Sequence, residues 1–173
     1  YTVVNFEGKW GVINKNGEIK IAFIYNNIQD FKDGTFAVKK IGKWMIIDKD
    51  GKNITTTEYD NTKGFLGEYA PVFMNQKWGY INRQGVLIIE YIYDEAGYFY
   101  NGTALVKLNG KWGYINVDGT ISLPIIYDNA EQFVDDFACV SFNGKKGIID
   151  RNGNVIISFV YDECINANDG VFF

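Results

Sequence analysis

The residues best equipped for recognition chemistry in this sequence recur with a single spacing. Trp10, Trp44, Trp78 and Trp112 stand 34 residues apart. An indole face can stack on a sugar ring or receive a quaternary ammonium group. A ladder of exposed rings would therefore suit a glycan. The same side chain buries ~150–250 Å², so packing between neighbouring units is the simpler role for one large aromatic per period. A lysine recurs beside them: Lys9, Lys43, Lys77, Lys111 and Lys145, the last followed by Lys146 where Trp would stand. Such a row can guard a sheet edge, pair with Asp60, Asp94, Asp128 and Asp162, or bind an anionic ligand. An exposed ion pair contributes about 0–1 kcal/mol, so pairing would fix geometry more than stability.

Other chemistries lack their residues. There is no His in 173 residues, which removes the commonest acid–base group and metal ligand. No Gly-x-Ser-x-Gly, phosphate loop or Cys beside a base is present, so no catalytic residue and no cofactor is assigned. Cys139 and Cys164 form no metal spacing and no disulfide framework. Their repeat positions otherwise hold mainly small or apolar residues, and both thiols are expected to be packed and inert. Asp48-Lys49-Asp50-Gly51 invites a calcium reading. Position twelve from Asp48 is Tyr59, where an EF-hand needs Glu, so that reading fails. A net charge of −4 argues against a nucleic-acid partner. No run of about 18 apolar residues provides for membrane insertion. The first residue is Tyr, not Met, and no secretory leader is visible, as expected of a processed fragment.

The elements that must position these residues follow from the repeat. Gly17, Gly51, Gly85, Gly119 and Gly153 keep the 34-residue step. So do Tyr25, Tyr59, Tyr93, Tyr127 and Tyr161, four of them followed by Asp and the first by Asn26. Five periods leave three residues over, so the sequence stops at the phase where it began. A 34-residue period also belongs to helical tetratricopeptide repeats, but here the apolar period is two. Ala104, Val106 and Leu108 alternate with Leu105, Lys107 and Asn109. Asn109-Gly110 then supplies a hairpin turn. Asn116-Val117-Asp118-Gly119 reads as a type I turn closed by a left-handed Gly. Ile121, Leu123, Ile125 and Tyr127 alternate with Ser122, Pro124 and Ile126. Each period thus reads as three antiparallel strands. Tyr should end the third strand facing inward, and Asp should accept N–H groups of the turn that follows. Ile28/Phe31, Thr62/Phe65, Ala96/Phe99 and Ala130/Phe133 share a three-residue offset. That offset predicts a turn or one helical turn between meanders. A 34-residue unit is below the ~40 residues at which isolated domains usually need help. Stability should then be a sum of nearest-neighbour interfaces. Asn53–Glu58 lacks the apolar alternation of the other third strands and should be the weakest.

Gly-Lys-Trp-Gly-x-Ile-Asn/Asp-x-x-Gly followed by Tyr-Asp resembles the bacterial WG (KWG) repeat family, over essentially the whole chain. Trp10-Gly11, Trp78-Gly79 and Trp112-Gly113 match the name-giving pair, whereas Met45 and Lys146 depart from it. The resemblance implies an all-β repeat module without catalytic chemistry of its own, serving as a scaffold for binding. Residues 109–119 are also similar to the hairpins of choline-binding repeats on bacterial surfaces, which are shorter and lack Tyr-Asp. The expected architecture is one all-β domain over residues 1–173, with units centred at 10, 44, 78, 112 and 146. Its form is an open superhelical array or, alternatively, a closed five-bladed toroid with residues 1–7 beside 171–173. The expected function is a non-catalytic scaffold binding protein or peptide. A carbohydrate-binding module of the cell envelope and a structural spacer are the alternatives. Compartment leans to the extracytoplasmic side or cell surface.

Overall fold

The computed structural model describes residues 1–30 and 33–164. Its regular elements there are all strands, in five consecutive antiparallel sheets, none closed on itself. The first holds β1 (Thr2–Phe6), β2 (Lys9–Ile13) and β3 (Ile19–Tyr25). The second holds β4 (Asn27–Asp30), β5 (Thr35–Lys40) and β6 (Lys43–Asp48). The third holds β7 (Asn61–Thr62), β8 (Tyr69–Met74), β9 (Lys77–Asn82) and β10 (Leu87–Tyr93). The fourth holds β11 (Glu95–Tyr100), β12 (Thr103–Leu108), β13 (Lys111–Asn116) and β14 (Ile121–Tyr127). The fifth holds β15 (Asn129–Ala130), β16 (Phe137–Phe142), β17 (Lys145–Asp150) and β18 (Val155–Tyr161). Within each sheet, neighbours in sequence are neighbours in space. The chain packs as two compact units, Tyr1–Tyr91 and Ile92–Phe173.

The turns behave as their residues require. Asn109 and Gly110 both take positive φ, at 51° and 79°, the backbone twist of a two-residue hairpin. Asn14, Asp48, Asn82 and Asp150 each accept two backbone N–H bonds with Oδ1, as from Asn16 and Glu18 at 2.9 and 3.0 Å.

The connecting segment begins as a strand, of six residues in β11, four in β4 and two in β7 and β15, where a turn or helical turn was expected; after β7 and β15 the chain does turn before the next strand. After the inward Tyr, the next backbone N–H is captured at once by the following sheet. Asn26 N–H donates to the Lys39 carbonyl, Asp60 to Phe73, Asp94 to Lys107 and Asp128 to Ser141, all at 2.8–2.9 Å. For Ala96 and Phe99 the three-residue offset has another origin: the β11–β12 register shifts between them. Thr62 and Phe65, like Ala130 and Phe133, are both buried. Phe31 lies outside the described residues, as do residues 171–173 of the closure expectation.

Each unit therefore hands a strand to the next sheet, and the cores lie between sheets. One contains Val12, Ile21 and Tyr25 of the first sheet with Phe36, Val38 and Ile47 of the second. Another joins Tyr114, Leu123 and Tyr127 of the fourth to Val140 and Ile149 of the fifth, with Phe133 from the segment between β15 and β16. At ~25 cal/mol per Å² of apolar surface, the unit gains its stability from its neighbour.

The Gly after Trp has a steric cause. A Cβ on Gly113 would meet Ile125 Cα at 2.6 Å and the Pro124 carbonyl at 2.7 Å. On Gly11, Gly79 and Gly147 it would meet the Ile21, Ile89 and Ile157 carbonyls at 2.5–2.7 Å. Trp112 pairs with Tyr127 and Tyr114 with Leu123, so residues 124–126 arch over Gly113 alone. The second unit carries Met45 at this position, and there the outer strand fails. The bridges Trp44–Tyr59 and Ile47–Asn53 remain, and the Ile54 and Thr55 N–H groups both donate to the Ile46 carbonyl, at 2.9 and 3.2 Å. The Thr55 hydroxyl, fully buried, accepts the Ile46 N–H at 3.0 Å.

Cys139 and Cys164 correct a second expectation. They form a disulfide, with Cα atoms 6.3 Å apart. The two phases were read one at a time as apolar positions. Across a joint they face each other, as Leu105 packs on the cluster holding Ala130 one repeat earlier.

Two outcomes are expected. Amides of residues 53–58 should exchange faster than those of 121–127 in native-state hydrogen exchange, because an outer strand without its ladder opens locally. Gly113→Ala should cost about 1–3 kcal/mol through forced backbone displacement, measured by urea denaturation.

Candidate binding surface

Lysine and aspartate meet at three of the repeat positions. Lys43 pairs with Asp60, Lys111 with Asp128, and Lys145 with Asp162. In each case the Lys opens a strand at a hairpin and the Asp follows the Tyr of the outer strand. The second carboxylate oxygen reaches the next repeat. Asp60 Oδ2 accepts the Asn75 N–H at 3.2 Å, Asp94 Oδ2 the Gly110 N–H at 3.1 Å, and Asp128 Oδ2 the Gly144 N–H at 2.9 Å. Asn26 Oδ1 accepts the Ile41 N–H at 3.2 Å in the same way. Asn26 is neutral, so Lys9, which opens β2, meets no carboxylate at this position. Lys77 opens β9 at the same phase. The aspartates thus serve the hairpin of the next unit, where the expectation had them serve the turn immediately following. The Lys43 ammonium holds the Asp60 carboxyl below the usual carboxylate range, and Lys111 and Lys145 do the same to Asp128 and Asp162.

The Trp rings carry cations of their own chain. Trp44 is buried; Trp10, Trp78 and Trp112 are half-buried. Lys39 Nζ lies 5.4 Å from the Trp44 ring centre, Lys63 5.1 Å from Trp78, and Lys107 5.3 Å from Trp112. Lys39 and Lys107 are the cross-strand neighbours of the rings they cover. Each pairing places a cation on a face that a sugar would need. Trp10 and Trp112 also sit opposite Tyr25 and Tyr127, and Lys146 opposite Tyr161. Tyr25, Tyr59, Tyr93 and Tyr127 are buried, whereas Tyr161 is exposed. Burial pushes the Tyr59 phenol up to about 12. Tyr114, two residues beyond Trp112, is fully buried and its hydroxyl donates to the Glu131 carbonyl at 2.5 Å.

A further row lies on the outer strands. Ile24, Ile92, Ile126 and Val160 share one repeat position and are 45–62% exposed; Glu58 occupies it in the second unit. They precede the inward Tyr and so point outward by alternation. Each of β3, β10, β14 and β18 is the last strand of its sheet. The signal was present in the sequence, where Ile126 alternates with Ile125 and Tyr127, but only the inward set was read as informative. Among the described residues no three His, Cys, Asp or Glu side chains converge as metal ligands would. No helix there is long and apolar enough to cross a membrane.

The lowered carboxyls set a pH dependence. A group whose folded pKa is depressed contributes stability that is present above its unfolded pKa, about 3.9, and lost as pH falls through the folded value. Asp128→Asn keeps an acceptor for Gly144, as Asn26 does for Ile41, but loses the Lys111 ion pair. Wild type should be the more stable at neutral pH, and the difference in urea midpoints should close as pH drops below the folded pKa.

Solved structures share this architecture at low identity. Hsv2p of Kluyveromyces lactis superposes with TM-score 0.57 at 15% identity, over 89% of this chain and 58% of that one. A eukaryotic initiation factor gives 0.62 at 12%, over 94% and 53%. BamB from Moraxella catarrhalis gives 0.51 at 12%, over 92% and 61%. These are propeller-like proteins, and the chain spans less than two thirds of their length. No curated protein sequence matches it. The family described as WG containing repeat matches residues 10–44, 44–78, 78–112, 112–145 and 147–173. Each match begins at or beside the Trp position of its repeat, and the chain belongs to the WG repeat family.

Proposed function

We propose that the chain is a non-catalytic interaction scaffold whose outer strands bind a protein or peptide partner. The observation that carries this reading is the row Ile24, Ile92, Ile126 and Val160, exposed on strands that end their sheets. A solvent-facing edge offers unpaired N–H and C=O groups, and an extended peptide can add there as a further strand. Main-chain bonds supply affinity, and alternate side chains meet the exposed aliphatic residue of the strand that is extended. Long apolar edges are a hazard that folds normally blunt. A row kept at four repeat positions argues for a use. The propeller-like neighbours support the same class of role by fold alone.

The glycan alternative draws on the Trp ladder, and the lysines over three of the rings weigh against it. A spacer would have a polar, aromatic-poor surface, whereas this one exposes large aliphatics.

The test is selection of extended peptides from a random library on the immobilised chain. Peptides with alternating aliphatic residues should be recovered. Replacing Ile24, Ile92 and Ile126 together by Lys should weaken their binding at least tenfold, with circular dichroism unchanged. Recovery of no peptide, alongside retention on a glycan array that Trp78→Ala abolishes, would overturn the proposal in favour of the carbohydrate module.

A further inference from the structure

Two positions 25 residues apart recur through the repeat: Val3 and Ile28, Ala37 and Thr62, Pro71 and Ala96, Leu105 and Ala130, Cys139 and Cys164. In the first joint Val3 and Trp10 pack on the cluster that holds Ile28. In the fourth, Leu105 and Trp112 pack on the cluster that holds Ala130. Such apolar packing does not change with redox conditions. The fifth unit departs at all three positions at once. Cys139 stands for the aliphatic residue, Lys146 for the indole and Cys164 for Ala130. This joint gives up its aliphatic and its indole and gains a covalent bond. The bond also spans a strand. β17 lies between β16, which carries the buried Cys139, and β18, which Cys164 follows. Cys164 Sγ lies 4.0 Å from the Gly147 carbonyl oxygen of β17. The chain leaving β18 is thus tied back across β17 to β16, over a sequence separation of 25.

We infer that the fifth joint is a redox-conditional lock, closed by Cys139–Cys164 in oxidising surroundings and open as two thiols in reducing ones. Opening is an exchange with a dithiol. One thiolate of the dithiol bonds to one Sγ, and the electron pair of the Sγ–Sγ bond passes to the other, which takes a proton. The second thiolate then displaces the first Sγ, which is protonated in turn, and the dithiol leaves as a cyclic disulfide. The protein gains two electrons and two protons. Two thiols cannot occupy the place of the bond, because a non-bonded contact is longer than a covalent one. In a close-packed interior they must move apart. The positions that hold the first and fourth joints by packing are here Lys and Cys, so little resists that movement. The closed loop also restricts the unfolded chain, and that constraint vanishes with the bond. The inference goes beyond the scaffold reading: it concerns how the fifth sheet is held, and it stands whether or not the outer strands bind a peptide.

The full chain tests it, oxidised with glutathione disulfide and then reduced with dithiothreitol. Cys139 and Cys164 are the only cysteines in the sequence. Thiol titration of the unfolded oxidised chain should find neither free, and titration after reduction should find both. On reduction, native-state hydrogen exchange of residues 145–150 and 155–161 should speed up about tenfold or more, with 111–116 little changed. The urea midpoint should fall, and the unfolding equilibrium constant should rise about a hundredfold. Cys139→Leu with Cys164→Ala copies Leu105 and Ala130. This double variant should fold, and dithiothreitol should leave its exchange unchanged. If it does not fold, wild type with and without dithiothreitol decides alone. Free thiols in the oxidised chain overturn the inference. So does exchange in the fifth sheet that reduction does not alter, or an equal response to dithiothreitol in the double variant.

Discussion

The architecture depends on one transfer: the backbone N–H after each inward Tyr is donated to the next unit. That bond, at 2.8–2.9 Å in four joints, fixes the following residues as a strand of a sheet to which the rest of their repeat does not belong. Sheets and repeats are therefore out of phase. The consequence is energetic as well as topological. The buried residues of each core come from two sheets, so no single period holds a complete apolar interior. The side chain beside the transferred N–H completes the joint: Asn26, Asp60, Asp94 and Asp128 each reach the hairpin of the unit ahead. Where that side chain is a carboxylate, Lys43 and Lys111 also hold it from the unit behind.

Close approach is the second constraint, and it explains why Trp and Gly are neighbours. Trp lies across from the Tyr that ends the outer strand, and the residue after Trp faces the arch of that strand. There is room for a hydrogen and not for a methyl group. Met45 is the natural experiment. Its unit keeps the Trp–Tyr bridge and the turn, yet between them the regular strand gives way to isolated bridges, two N–H bonds to the Ile46 carbonyl and a threonine hydroxyl. The irregular stretch at 53–58 and the missing Gly at 45 thus fall in the same unit, opposite one another.

Much of this was legible because the period is unbroken. The all-β class, the hairpins, the Gly-closed turns and the inward Tyr all follow from alternation and turn chemistry. What was misread required knowledge of which sheet a residue joins. The spacing of Ala96 and Phe99 looked helical, since a bulge imitates a three-residue period when no partner strand is known. Cys139 and Cys164 each looked like an ordinary apolar position, and only the joint shows that the two positions face one another. The same blindness affected the surface. Ile24, Ile92 and Ile126 were visible as outward residues, but alternation does not tell a covered face from an open one.

Surface chemistry follows from these constraints. Trp, Tyr and Lys, the residues that advertise themselves by recurrence, are used by the chain itself, in ring–cation contacts, inter-sheet cores and ion pairs. Positions with no internal duty lie on the last strand of each sheet, beyond the arch over Gly. There the side chains vary with the danger of the edge. Lys20, Glu90 and Pro124 differ in chemistry and in two cases share a position, yet each opposes pairing with an unrelated strand.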